Sequence, residues 1–337
     1  MNAESIILGN RDWGLGGSFS NPQPLSPISY LEKELENCTQ CPHECGINRF
    51  SNKLGYCKSD ASFNIPSICN HKGEEPVISG KNGICNVFFS SCNLQCIYCQ
   101  NYQISRHKNN YVLRINNYEL KDIIAEIIKC LDSGCKSVGF VSPSHHIPQL
   151  KLIINTILDE GYKPIFVMNT NAYDKVETIQ SFEGLIDVYL PDFKYSDNQL
   201  SKEYSDVSNY KEIALDSIKE MNRQKGANLI LNESGIATSG LIIRHLVLPG
   251  LIENSINSLR LIAKEISNEV HLSLMSQYSP TINVCNHPYL NRKLTKEEYQ
   301  VVVDEMEKLG FENGWIQEIE SSDYYLPDFN RTEPFAG

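Results

Sequence analysis

"SVGFVSPSHHIPQLKLIINTILDEGYKPIFVMN", residues 137–169, reads as one complete strand, helix and strand passage. Its ends, "SVGFVS" (137–142) and "PIFVMN" (164–169), are short runs rich in β-branched and aromatic residues, which suit a pleated, buried surface. Between them Leu150, Ile153, Ile154, Ile157 and Leu158 fall at helical spacing and make one apolar stripe, with Gly161 as a C-terminal stop. A strand that returns through a helix pairs parallel with the next strand, so the passage predicts a βαβ unit.

The alternation recurs along the chain. "CNVFFS" (85–90), "LIDVYL" (185–190), "LIIRHLVL" (241–248) and "VHLSLM" (270–275) predict further strands. Helical patterns cover 118–133, about 209–225 and 254–267, and a last helix opens with a capping box at Thr295 and Glu298 and stops at Gly310. Residues 85–310 are too few for the eight units of a closed barrel. The expected fold is therefore α/β, an open partial (β/α)6 barrel, with a doubly wound sheet as the competing topology. Residues 38–84 form a small cysteine-rich module before it, 1–37 an irregular lead-in, and 311–337 a C-terminal extension.

Composition narrows the function classes. The 337 residues are 41% hydrophobic and 21% charged, and no apolar run approaches the roughly 20 residues of a membrane span. The first residues, "MNAESIILGN", lack the basic and apolar pattern of an export signal, so a cytoplasmic location is expected. A net charge of -11 argues against gripping nucleic acid through phosphates.

The 12 cysteines are the informative residues, because clustered thiols in a chain without an export signal read as metal or redox groups. Cys38, Cys41, Cys45 and Cys57 form a complete quartet that suits zinc or an iron-sulfur cluster. Cys92, Cys96 and Cys99, in "FFSSCNLQCIYCQNYQIS" (88–105), form a triplet directly after the first strand of the series. The others read as core residues, with Cys85 set apart because it stands seven positions before Cys92. Polar loops follow the carboxyl ends of all six predicted strands, the edge where α/β folds place their active sites. Three thiolates on a four-iron cluster leave one iron open, and an open iron permits inner-sphere chemistry.

The C-x3-C-x2-C spacing with Tyr98 before the third cysteine resembles the signature of radical S-adenosylmethionine (radical SAM) enzymes. "CTQCPHECGINR", "HKGEEPVISG", "DVYLPDFKY", "IIRHLVLPG" and "LMSQYSP" are similar to PflX-type relatives of the pyruvate formate-lyase activating enzyme. The resemblance covers roughly residues 38–310. It implies a 4Fe-4S cluster on Cys92, Cys96 and Cys99, with the amino and carboxylate groups of SAM on the fourth iron. Reduction would yield a 5′-deoxyadenosyl radical that abstracts hydrogen from a substrate.

The resemblance also suggests contacts to SAM. Asp192 and Lys194 match an Asp-x-Lys that sits near the methionine carboxylate. Where activating enzymes carry a Gly-Gly-Glu-like segment this chain has "VSPSHH", which leaves Ser142, Ser144 and His145 to meet the amino group or simply to start a helix. Asn169 and Asn171 suit a ribose or main-chain contact, or a turn. Tyr98 would pack on cluster or adenine. Arg244, inside an apolar strand, calls for an anionic partner such as a carboxylate of SAM or substrate, while His245 reads as a satisfied structural histidine. Glu74 and Glu75 read as substrate-side acids or as a polar loop.

Three functions follow from these readings. One is activation of a glycyl radical enzyme; another is modification of a small molecule or peptide, to which the extra cysteine module points. The third is non-catalytic electron transfer, with Cys85 completing a four-cysteine cluster. The expected partners are a reductant such as flavodoxin or ferredoxin and a protein or peptide substrate, with no membrane and no nucleic acid.

Overall fold

The computed structural model describes residues 33–105, 118–319, 326–331 and 333–335; the lead-in, apart from 33–37, lies outside them. Among the described residues seven strands make the parallel part of one sheet: β2 (Ile84–Phe88), β3 (Ser137–Val141), β4 (Ile165–Thr170), β5 (Val188–Pro191), β7 (Ala237–Leu246), β8 (His271–Met275) and β9 (Gly314–Ile316). The six expected strands are among them in the expected order. β9 was not foreseen, since three residues with a leading glycine give no periodic signal. β1 (Ser67–His71) pairs antiparallel outside β2, and β6 (Ile230–Leu231) forms a short antiparallel flap on β7.

Spatial order follows chain order, so every crossover runs the same way round and no topological switch point arises. The ends of the sheet do not pair with each other; it is an open, partial barrel rather than a doubly wound sheet. The helices that make the crossovers include α3 (Leu120–Asp132), α4 (Ile147–Asp159), α7 (Tyr210–Lys225), α8 (Ile252–Glu265) and α9 (Lys296–Lys308), each where the apolar stripe predicted it. Thr295 and Glu298 form the expected reciprocal cap of α9. Shorter helices are α1 (Pro76–Ser79), α2 (Tyr102–Ser105), α5 (Val176–Gln180) and α6 (Asn198–Ser205).

Strand alternation decides what each face of the sheet carries. Val87, Val138, Phe140, Phe166, Met168, Tyr189, Ile243 and Leu272 pack outward with the helices in one large core. The opposite set, Ile84, Val167, Val188, Leu190 and Ile242, makes a smaller inner core with Ile78 of α1 beneath it. Two residues further along the same face, Val167 gives way to Asn169 and Ile242 to Arg244. The inside is thus apolar at the base and polar at the carboxyl end. Gly139 belongs to this inner face, and a Cβ there would stand 2.2 Å from Asn86 Oδ1, so any larger residue would have to displace the Asn86 side chain.

Candidate active site

The Cys92, Cys96 and Cys99 loop leaves the carboxyl end of β2 and returns at α2. Neighbouring segments fix it through its backbone. Ser90 N donates to Asn64 O, Ser91 N to Ile104 O, Gln95 N to Ser205 O and Ile97 N to Tyr204 O, at 2.7–3.2 Å. Asn93, fully buried, donates through Nδ2 to Tyr173 O at 2.7 Å. The loop is therefore held from two helices and from the end of β4 at once.

Each of the three sulfurs meets a polar hydrogen-bonding group. Asn171 Nδ2 donates to Cys92 Sγ at 3.4 Å and shares its second hydrogen with Asn93 Oδ1 at 2.8 Å. Ser205 Oγ donates to Cys96 Sγ at 2.9 Å, and Tyr195 Oη stands 2.5 Å from the same hydroxyl. Ser105 Oγ lies 3.1 Å from Cys99 Sγ. Burial pushes the Cys92 and Cys99 thiols up, so thiolates form there only when a strong positive charge such as a metal compensates them.

Across the cleft stands a balanced set of charges. Asp192, at the end of β5, accepts from Arg244 Nε at 2.9 Å with one oxygen and from Lys194 Nζ at 2.7 Å with the other. Arg244 also donates to Glu74 Oε2 at 3.0 Å and to Asn169 Oδ1 at 2.6 Å. Burial alone would raise the Asp192 carboxyl and lower the Lys194 ammonium, but their mutual attraction wins, and Asp192 is held down and Lys194 held up. Tyr210, fully buried, ties the array to the sheet, its hydroxyl accepting from Lys194 N at 2.9 Å and contacting Asp192 O at 2.7 Å.

Three non-glycine residues at successive strand ends, Ser91, Ser142 and Ala172, have φ of 68°, 55° and 61°. Left-handed backbone at such residues costs free energy and concentrates at functional loops. Here all three flank the same opening.

Cys92, Cys96, Cys99, Tyr98, Ser142, Asn169, Asn171, Asp192, Lys194 and Arg244 line one open-mouthed cleft. Pro327 and Phe335 form part of its wall. Phe335 sits 4.0 Å from the His71 ring, and Gln103 bonds both Asp328 and Phe329 N.

Other expected residues are placed elsewhere. Ser144 is buried behind the cleft, 3.1 Å from Thr170 Oγ1, and His145 Nε2 reaches back to Ser90 O at 2.9 Å. Arg244, for which an anionic partner was expected, pairs with Glu74 and Asp192 of this chain. Glu74 lines the cleft, whereas Glu75 is buried outside it. Cys85 sits beside Cys130, near Cys135 and Cys69, and does not complete the triplet. His245 is satisfied as expected: Nδ1 donates to Phe193 O at 2.7 Å and Nε2 accepts from Ser255 Oγ at 2.9 Å. Sequence reasoning missed Ser105, Ser205, Tyr195 and Tyr210, single residues within helices or next to a turn, without a motif of their own.

Among the described residues no helix is long and apolar enough to cross a membrane. No family model matches the chain. The uncharacterized protein MJ0674 of Methanocaldococcus jannaschii is 31% identical over 289 residues, which are 83% of this chain and 77% of that protein. Solved structures with similar folds include a domain of pyruvate-formate lyase-activating enzyme from Bacteroides vulgatus, with 17% identity, 51% of this chain, 92% of that chain and a TM-score of 0.37. Streptococcus suis SuiB bound to S-adenosylmethionine matches with 17% identity and a TM-score of 0.45, over 69% of this chain and 50% of that one. Methylornithine synthase (PylB) matches with 17% identity and a TM-score of 0.43, over 68% of this chain and 64% of that one. The chain thus spans about half the length of SuiB.

Proposed function

This chain belongs to the family of the uncharacterized protein MJ0674, and from its site we propose that it is a radical SAM enzyme. The observation that carries the reading is the cleft itself: the buried thiols of Cys92 and Cys96 and the half-buried thiol of Cys99, each hydrogen-bonded, face a paired Lys194, Asp192 and Arg244 array at the carboxyl mouth of an open parallel sheet.

The residues fit the cofactors by their chemistry. Cys92, Cys96 and Cys99 would hold a 4Fe-4S cluster, whose positive irons supply the compensation that the raised thiols need. With cluster and SAM bound, the chemistry supplied is one-electron cleavage of the sulfonium to methionine and a 5′-deoxyadenosyl radical that takes a hydrogen atom from substrate.

The protein's part is binding and orientation. Lys194 is the cation best placed to hold the methionine carboxylate, because Arg244 already has two carboxylate partners and serves to fix Asp192. Asn171 spends both amide hydrogens on the loop and so positions Cys92 rather than a ribose. Asn169, held through its oxygen by Arg244, and Ser142, held in left-handed backbone, are the polar groups left to meet SAM. Tyr98 supplies an apolar wall beside the cluster, edge-on to Tyr195.

The finer reading is an activase that removes hydrogen from a glycine of a partner enzyme, using a one-electron donor of the flavodoxin or ferredoxin class. The likeness of "DVYLPDFKY" and its neighbours to the activating enzymes supports it. The N-terminal cysteine module instead favours a peptide or small-molecule substrate; a glycyl-radical EPR signal on a co-expressed partner separates the two. The main reading is tested by anaerobic reconstitution with iron and sulfide, reduction with dithionite and addition of SAM. Release of 5′-deoxyadenosine supports it, and no release from protein carrying about four iron per chain sinks it.

A further inference from the structure

Cys38, Cys41, Cys45 and Cys57 lie outside the cleft. They line a separate small pocket together with Arg49 and Tyr56. Cys38, Cys41 and Cys57 are buried, and all four are free thiols. Around them, from 37 to 66, the chain runs through turns and bends with no helix or strand. A stretch of that length inside a folded domain needs something other than ladders to order it.

Arg49 supplies the second observation. It is 1% exposed, the largest fully buried side chain among the described residues. Nε donates to Asp60 O and Nη1 to His145 O, both neutral carbonyls, while Nη2, also buried, has no hydrogen-bond partner among the described residues. The nearby Asp60 carboxylate is exposed and is engaged by Ser62 and Asn64. A buried guanidinium with an open N–H requires an anion. The pocket it borders offers four thiols for that purpose.

We propose that Cys38, Cys41, Cys45 and Cys57 hold a tetrathiolate metal centre, with Arg49 Nη2 donating to one of its sulfurs. Four thiolates on zinc or on a 4Fe-4S cluster share this donor set, and either way the centre is a dianion that the buried guanidinium offsets. Among the described residues no three His, Cys, Asp or Glu side chains stand close enough to clasp a single ion, and closing the four thiols on a metal is part of what the proposal asks of these turns. The proposal is independent of the radical SAM reading. It gives the module a mechanical role as well: His43, between Cys41 and Cys45, donates from Nε2 to Asn93 O at 2.8 Å and stacks on Tyr56 with ring centroids 3.7 Å apart. The centre therefore braces the loop of Cys92.

The test is metal and sulfide content of the full chain purified anaerobically. The expected result is about one zinc, or about four iron with matching sulfide, beyond what the triplet accounts for. That metal is retained in a Cys92→Ala, Cys96→Ala, Cys99→Ala chain and lost in Cys41→Ser, Cys57→Ser. Zinc or iron distinguishes the two occupants. X-ray absorption of the wild-type chain at the bound metal, which needs no variant, should show sulfur ligands near roughly 2.3 Å. Arg49→Met should release the metal to a chelator about tenfold faster, with Arg49→Lys in between. Metal content unaffected by the quartet substitutions, or a metal without sulfur ligands beyond the triplet's own, overturns the site; chelator release unchanged in Arg49→Met overturns the role of Arg49.

Discussion

Ser205 Oγ donates a hydrogen bond to Cys96 Sγ at 2.9 Å across 109 positions of sequence. Removing a donor from a cluster sulfur weakens the more negative, reduced state most. Ser205→Ala should therefore make the cluster harder to reduce by about 60 mV, the shift for a tenfold change in a one-electron couple. An EPR-monitored redox titration reads this directly, and a potential unchanged within error rejects it.

Cys96→Ala removes a ligand outright. Iron held by the triplet should fall to background and SAM cleavage should stop, while the far-ultraviolet circular dichroism stays that of the parent. Persistent 5′-deoxyadenosine formation would remove Cys96 from the ligand set.

Arg244 sits between the carboxylates of Glu74 and Asp192, at 3.0 and 2.9 Å. Arg244→Met leaves two half-buried anions facing each other, and breaking a buried pair from one side costs about 3–5 kcal/mol. Denaturant unfolding should show that loss, and Glu74→Gln added to Arg244→Met should recover part of it. Equal stability of single and double variants would mean that the carboxylates do not interact through Arg244.

His245 is buried with both ring nitrogens bonded, and burial, only partly offset by its bond to Phe193 O, lowers its pKa to about 4. The unfolded chain takes up the proton near pH 6.5 and the folded chain only near pH 4, so stability is full above 6.5 and is lost as pH falls between the two values. The loss from this one group is about 3 kcal/mol. His245→Asn should flatten that acid limb in chemical denaturation measured from pH 7 to pH 4, and an unaltered slope would contradict the assignment.

The fold was legible because its signal is periodic and long. The stripe of Leu150, Ile153, Ile154 and Ile157 and the runs that flank it left few alternatives, and chain-order pairing followed from the crossovers. β1 and β9 escaped because an edge strand of mixed burial and a three-residue strand carry no such period. In the site, Cys92, Cys96 and Cys99 announced themselves by spacing, and Asp192 and Lys194 by position at a strand end. Arg244 was legible as a residue needing an anion, but nothing in one strand tells which distant loop will bring Glu74 to it. Ser205 and Tyr210 are ordinary helix residues until the fold carries them to a sulfur and to the Asp192 backbone.

The bonds to Asn171, Ser205 and Ser105 bear on how far the cysteine loop can be treated as a portable motif. Residues 88–105 alone would carry all three thiols with their local contacts to Asn93, Leu94 N and Ser105, but neither Asn171 nor Ser205. A graft of that loop onto another scaffold would bring the ligands without their electrical surroundings, and would start from a floppy chain that must lose its entropy when iron arrives. In its native setting the loop is tied through its backbone to Asn64, Tyr204 and Ser205, so its ligands belong to the whole carboxyl edge of the sheet rather than to the motif alone.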